Sequence, residues 1–258
     1  MAVTLAQATV ATRACTDSGT MPQATVTTGP GDTILILEAV GRPVSWQSAW
    51  QIDGGPALTP LASYDEGGDA HLRAYAVTGL ATGSHTIDAT NPASGGGVRF
   101  VGHAIVVASG VDPAGLVAGA VHADISGGTA VTKTWQTGPV PAGGAAVGLQ
   151  ASRRDAAPAA VDHTSLGTSY LPGNIQAYAS SALQSAAGPL ADETMSVTFG
   201  GSGAGAYIAI TLAPATGGTT KTAAASIGLD LAPAGAASKT ASSGAALGLD
   251  LATGSDPT

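Results

Sequence analysis

Short apolar runs separated by turn residues recur along most of the chain. The clearest run is Thr33-Ile-Leu-Ile-Leu-Glu-Ala-Val40, which Gly31 and Gly41 bound on either side, a pattern typical of a buried strand. Residues 71–77 and 84–90 alternate apolar and polar positions, as half-buried strands do. Further strand candidates are residues 50–52, 98–109, 145–151, 193–199 and 206–213. Strands at this short spacing, with Gly-, Pro- and Asn-rich turns, predict an all-β fold, an antiparallel β-sandwich.

Three stretches are harder to interpret. Residues 115–123 and 175–187 are compatible with short helices, although Ile175 and Tyr178 favour a strand for the first half of the second stretch. Residues 116–160 are dense in Pro and Gly, and apart from the candidate at residues 145–151 their pattern does not define strands. These stretches leave the middle of the sandwich without a predicted strand order.

The character of the chain changes after Pro214, which predicts a sandwich domain over residues 1–214 and a repeat segment over residues 215–258. The segment is rich in Ala and Gly and holds two units that begin with Lys-Thr-Ala, at Lys221 and Lys239, and end with Gly-Leu-Asp-Leu-Ala. Each unit supplies one short apolar strand, and we expect these strands to act in assembly. Their apolar residues are Ile227, Leu229, Leu231, Leu247, Leu249 and Leu251.

Two interpretations of the repeat segment stay open. A single short strand cannot bury its own apolar face, so each unit would pack on the sandwich, on its neighbour or on another chain. Alternatively, a segment rich in Ala, Gly, Ser and Thr is a flexible linker.

Composition and charge exclude several classes of protein. The formal net charge is −8, with 9 Lys and Arg against 17 Asp and Glu, so the clustered basic surface that binds nucleic acid is not expected. Cys15 is the single cysteine, which excludes a disulfide within the chain. The first residues lack a basic region followed by a long apolar one, and no apolar stretch approaches a membrane span, so we expect neither a secretion signal nor a membrane partner.

No catalytic signature emerges from the motifs, and the sequence predicts a non-enzymatic protein with no metal or other cofactor. The Gly200–Gly205 run fits a turn between strands better than a phosphate-binding loop. His85 with Asp88 and His122 with Asp124 are local pairs, and each is expected to be an ordinary strand residue. The acidic loop that contains Asp65, Glu66 and Asp69 offers oxygen ligands for calcium, although a solvated turn is the favoured interpretation.

Four aromatic residues form the candidate glycan platform: Trp46, Trp50, Tyr64 and Tyr75. Exposed rings stack on sugars in carbohydrate-binding sandwiches. A core built mainly from Ala, Val and Leu also needs a few large side chains to fill it, and core filling is the favoured interpretation.

Several segments together resemble a family of phage proteins. Trp50-Gln-Ile-Asp-Gly-Gly-Pro, Leu72-Arg-Ala-Tyr-Ala-Val, Gly83-Ser-His-Thr-Ile-Asp-Ala-Thr, Ala104-Ile-Val-Val-Ala-Ser-Gly-Val-Asp-Pro and Ala206-Tyr-Ile-Ala-Ile-Thr-Leu-Ala-Pro resemble, in their order of strands and turns, the jelly-roll-type sandwich domains of bacteriophage virion proteins. The Lys-Thr-Ala and Gly-Leu-Asp-Leu-Ala units resemble repeats in minor tail and other structural proteins of phages that infect actinobacteria.

The resemblance implies a structural part of a virion, in the tail or as a decoration of the capsid surface, made in the host cytoplasm. Its expected partners are other virion proteins and further copies of the same chain. The alternative is a glycan-binding module for attachment to the host surface.

Overall fold

The computed structural model describes residues 2–15, 24–41, 49–66, 70–90, 99–124, 132–137, 139–153, 158–161, 163–171, 178–191, 194–199 and 205–215. All regular structure in these ranges is β-strand. The first eight strands are β1 (Thr4–Cys15), β2 (Ala24–Thr28), β3 (Thr33–Gly41), β4 (Ala49–Ile52), β5 (Ala62–Glu66), β6 (Ala70–Val77), β7 (Gly83–Thr90) and β8 (Arg99–Ser109). The next eight are β9 (Val111–Asp124), β10 (Thr132–Gln136), β11 (Ala145–Arg153), β12 (Pro158–Val161), β13 (Thr164–Leu171), β14 (Tyr178–Gln184), β15 (Thr194–Phe199) and β16 (Gly205–Pro214).

The first eight strands form a jelly roll. A five-stranded sheet, which we call sheet A, has the order β1-β8-β3-β6-β5, and a three-stranded sheet B has the order β2-β7-β4. Strands that are distant in sequence become neighbours, as two Greek keys require. The fifth strand extends sheet A beside β6, so that sheet B ends at β4.

The last eight strands repeat this arrangement. Sheet C has the order β9-β16-β11-β14-β13, and sheet D has the order β10-β15-β12. Adding eight to each strand number of the first half therefore gives the second half, strand for strand. The described part of the chain is a tandem pair of jelly rolls with the same topology.

The four sheets stack as layers in the order B, A, C and D, with an apolar core in each of the three gaps. The core between sheets A and C takes residues from both halves, including Leu35, Leu37, Val147 and Leu149. The alternate residues of β3 face sheet B, where they form a second core with Trp50 and Ile87 among others. A third core, which contains Leu183, Met195 and Val197, lies between sheets C and D. Because both faces of sheets A and C are covered, the central strands β3 and β11 carry apolar residues on both faces rather than alternating, with Glu38 and Gln150 as buried polar residues among them.

Sheets A and C pack face to face, with the two edges of one sheet over the two edges of the other. Each pair of stacked edges forms a rim of the central core. At one rim β1 packs on β13, and at the other β5 and β6 pack on β9. The first rim is tight, because a Cβ atom added at Gly167 of β13 would lie 3.0 Å from Val10 Cγ2. The β3–β11 contact lies midway between the rims, so the halves are arranged about an approximate two-fold axis at that point.

The all-β sandwich predicted from the sequence is confirmed, and the strands predicted at residues 33–40, 71–77 and 84–90 are present. The helical alternative for residues 115–123 is wrong, because these residues belong to β9. In the second ambiguous stretch the strand is β14, at Tyr178–Gln184. Compact packing defines one unit over Met1–Thr219 and a second over Thr220–Thr258, and the residues of the second lie outside the described ranges.

Candidate functional site

Among the described residues, the central sheets end in four edge strands, each with one hydrogen-bonded neighbour: β1, β5, β9 and β13. Three of them carry irregularities in register. One extra residue interrupts the pairing of β1 near Leu5 and of β13 near Ser165, and β9 has one extra residue at one place and three at another. Bulges of this kind twist an edge away from further pairing.

Strand β5 differs from the other three, because its five residues pair with β6 in regular register from Ala62–Ala74 to Glu66–Ala70. Its outer side therefore offers a straight row of main-chain donors and acceptors, which is the geometry that accepts another strand. We call Leu61 together with β5 the β5 edge.

The β5 edge also carries exposed apolar surface. Among the described side chains, Leu61 and Tyr64 are the large hydrophobic ones that are exposed, with relative exposures of 42% and 38%. Ala62 packs against the core between sheets A and C, and Tyr64, two positions further along the strand, lies on the same face. An apolar ring at the margin of a core, beside unpaired main chain, is the combination found where strands are added.

The rings of the predicted glycan platform are not gathered on one surface. Trp50 and Tyr75 are buried, with relative exposures of 0% and 1%, in the core between sheets A and B. For these two residues the platform interpretation is wrong, because neither has a face open to a sugar, and the core interpretation describes them. Tyr64 is exposed on β5, and Trp46 lies outside the described residues.

A buried carboxylate explains the orientation of Trp50. The indole Nε1–H of Trp50 donates a 2.7 Å hydrogen bond to Oε2 of Glu38, and neither side chain is exposed. The His103 ring meets the indole edge-to-face, with centroids 5.4 Å apart. Register places Glu38 between Arg73 on β6 and His103 on β8. Burying a carboxylate is costly without such partners, so this cluster holds β4 against sheet A.

A second polar contact joins β4 to β7. The Nδ1 atom of His85 lies 2.7 Å from Oδ2 of Asp53, and its Nε2 atom lies 2.8 Å from the Ala81 carbonyl oxygen. The other carboxylate oxygen of Asp53, Oδ1, accepts a hydrogen bond from the Thr86 amide. Because both neighbours of the ring are acceptors, both nitrogens donate when the ring is protonated, and the pKa of His85 is raised, chiefly by the bond to Asp53. The same bond is the main reason that the pKa of Asp53 is lowered.

The contact of His85 with Asp53 replaces the local pair with Asp88 that the sequence indicated. Residues three apart in a strand point to opposite faces, so Asp88 is turned away from His85. In this arrangement both ring nitrogens of His85 are engaged by acceptors, which suits a structural clamp better than proton transfer to a substrate. Sequence reasoning missed Asp53 because it lies 32 positions before His85.

The remaining candidates are placed as follows. Asp65 and Glu66 belong to β5 rather than to a turn, whereas Asp69 and the six apolar repeat residues lie outside the described ranges. His122 and Asp124 belong to β9. Within the described ranges, no three His, Cys, Asp or Glu side chains are grouped so that they could hold a metal ion.

Comparison with known proteins adds no identification: no family model, curated protein or solved structure matches this chain. None of the residues that the structure describes belongs to a helix long and apolar enough to span a membrane. The β5 edge is therefore the candidate functional site, on the grounds of its register and its exposed apolar residues.

Proposed function

We propose that the protein is a non-enzymatic structural protein of a phage virion, a minor tail protein or a capsid-surface decoration, that acts by assembly with other chains. The observation that carries this proposal is the β5 edge, an unbulged edge strand with Leu61 and Tyr64 exposed beside it. The resemblance to virion sandwich domains supports the same interpretation.

The architecture supports a mechanical role. Two jelly rolls share one central core, so sheets A and C are covered on both faces and present their margins to the surroundings, while sheets B and D also present their outer faces. Strand addition at such a margin gives main-chain hydrogen bonds and buries apolar side chains without requiring a pocket. Assembly through sheet edges is therefore the interaction that this architecture supports best.

The repeat segment supports the proposal from the sequence side. Its two Gly-Leu-Asp-Leu-Ala units each alternate apolar residues with Gly or Asp over a strand-length stretch. Such a unit gains stability by joining an existing sheet. The sequence thus offers two units of strand length for donation, and sheet A offers an edge suited to acceptance.

The alternative, a glycan-binding module, has weaker support. It relied on four rings, of which Trp50 and Tyr75 are buried. Tyr64 is an exposed ring on the β5 edge, where the adjacent unpaired main chain favours a protein partner.

Sedimentation velocity of the purified protein over a range of concentrations tests the proposal, with electron microscopy of the same samples. Concentration-dependent growth into particles of regular size or into tubes is expected. A single monomeric species at all concentrations, together with retention on immobilised host-wall glycans, would replace the structural proposal with the glycan-binding one.

A further inference from the structure

We propose that the β5 edge is the acceptor site for a Gly-Leu-Asp-Leu-Ala unit donated by a neighbouring copy of this chain. This inference rests on the proposed assembly function and assigns its contact surface. The donated strand would extend sheet A beyond β5, on the side opposite β6.

The choice of β5 follows from the comparison of the four central edge strands. Its equivalent in the second half, β13, has an extra residue near Ser165 and packs tightly on β1 through Gly167 and Val10. β5 has the same place in the repeated topology but a regular register. The two halves therefore differ at this position, and the regular register is found where apolar side chains are exposed.

The repeat unit matches the acceptor in length and in pattern. Gly-Leu-Asp-Leu-Ala has five residues, as β5 has. In an added strand, Leu229 and Leu231 would share one face and Asp230 would take the other, because side chains alternate. The leucine face would continue the row of Ala62 and Tyr64 at the margin of the central core, and Asp230 would fall on the face of Ser63.

Charge favours the repeat unit over a second β5 strand as the occupant. Asp65 and Glu66 fill two of the five positions of β5, so a pair of β5 strands would bring four carboxylates into one short ladder. Like charges on paired strands are destabilising. Each repeat unit contributes one carboxylate, Asp230 or Asp250.

The described chain ends beside the start of β1, at the edge of sheet A opposite β5. β16 ends at Pro214, which pairs with Val111 at the start of β9, and Ala215 donates a 2.7 Å hydrogen bond to the Gly110 carbonyl. A Cβ atom added at Gly143 would lie 3.6 Å from Pro214 Cγ and 3.8 Å from Ala2 Cα, so β16 ends close to the residue that precedes β1. Residues 216–227 would span at most about 40 Å when extended, so the length of the chain before Gly228 allows the first unit to reach a neighbouring copy.

Photo-crosslinking tests the inference on the full chain. A p-benzoyl-phenylalanine replaces Tyr64 on the β5 edge, and in a matched control it replaces Thr168, which is exposed on β13. Each variant is mixed with an isotopically heavy chain, irradiated and analysed by mass spectrometry of the crosslinked peptides. From position 64, the expected products join light to heavy chains at residues 226–232 or 246–252, and position 168 gives none of them.

The outcomes separate this inference from the proposed function. If the protein assembles but position 64 crosslinks elsewhere, the acceptor site is wrong and assembly stands. If crosslinks to the repeats form only within single chains, donation by a neighbouring copy is wrong. If no assembly occurs, the proposed function fails first.

A second pair of variants tests the same inference without a photoreactive group. Tyr64→Lys is expected to raise the concentration for half-assembly about tenfold or more, because it replaces an aromatic anchor with a charge. Thr168→Lys should leave that concentration unchanged, and equal effects of the two variants would overturn the inference. Unchanged melting temperatures for both variants show that the fold is retained.

Discussion

Glu38 on β3 and Gln150 on β11 occupy equivalent positions in the two jelly rolls. Glu38 lies in register between Arg73 and His103, and Gln150 lies between Ser181 and Tyr207 on the corresponding strands. Both side chains are completely buried. The same position is therefore polar in both halves, although the side chains beside it differ.

Truncation of Glu38 is expected to destabilise the first half strongly. Glu38→Ala removes the acceptor of the buried Trp50 N–H and leaves a cavity, so the free energy of unfolding should fall by about 3 kcal/mol. Glu38→Gln keeps an acceptor oxygen and introduces the residue found at position 150, so its cost should be about 1 kcal/mol. Urea denaturation followed by tryptophan fluorescence measures both. Equal losses of unfolding free energy in the two variants would show that the hydrogen bond to Trp50 contributes little to stability.

The two jelly rolls are expected to unfold together, because the core between sheets A and C takes residues from both. Ile87→Ala empties part of the core between sheets A and B, and Leu183→Ala does the same between sheets C and D. Each should cost about 2–5 kcal/mol and lower the temperature of one shared calorimetric transition. Two transitions, each moved by one substitution alone, would mean that the halves are independent domains.

The close approach of β13 to β1 is expected to make Gly167 intolerant of a side chain. Gly167 has φ +152°, and an added Cβ atom would lie 3.0 Å from Val10 Cγ2, so Gly167→Ala combines backbone strain with crowding. Gly79→Ala is the matched control, since Gly79 has φ +72° with no atom within 4 Å of the added Cβ. Thermal melts should show a larger loss for Gly167→Ala, of about 2 kcal/mol against about 1 kcal/mol for the control. A larger loss of stability for Gly79→Ala than for Gly167→Ala would argue against tight packing between β13 and β1.

The contact of Asp53 with His85 predicts a pH window of stability. The pKa of His85 is raised, so its contribution is complete below about pH 6.5 and is lost as the pH rises through its folded value. The pKa of Asp53 is lowered, so its contribution is complete above about pH 4 and is lost as the pH falls through its folded value. Asp53→Asn should therefore lower the melting temperature more at pH 5.5 than at pH 9. Asn also tolerates the positive φ of 54° at this position.

Thr28→Val is the control for that experiment. Its hydroxyl donates to the same Ala81 carbonyl that His85 contacts, at 2.9 Å, but does not titrate. We expect a loss of stability for Thr28→Val that is the same at both pH values. A pH-independent loss for Asp53→Asn as well would contradict the electrostatic account of the clamp.

The sequence was informative where local pattern decides the structure. Strand β3 carries apolar residues on both faces because sheet B covers one face and sheet C covers the other. This continuous apolar pattern can be recognised from the sequence alone. The repeat of the jelly-roll topology was not visible in the sequence, because Ile34, Leu35 and Ile36 correspond to Ala146, Val147 and Gly148. The corresponding positions of β3 and β11 are buried to a similar extent but carry different side chains.

The candidate site depended even more on long-range structure. Exposure of Leu61 and Tyr64 and the regular register of β5 follow from how β6 and β9 lie beside that strand. No local motif encodes either property. The repetition of the two units is visible in the sequence, whereas the acceptor edge that we propose for them required the sheet topology.

Light scattering of the full-length protein beside a truncation that ends at Ala215 tests the central claim of assembly most directly. A third sample carries Ser in place of Leu229, Leu231, Leu249 and Leu251, with a control in which Ala223, Ala224, Ala236 and Ala237 are replaced by Ser. The account predicts an oligomeric mass for the full-length protein and the alanine control, and a folded monomer for the truncation and the leucine variant. A monomeric full-length protein, or an oligomer that survives loss of the repeat segment, would contradict it.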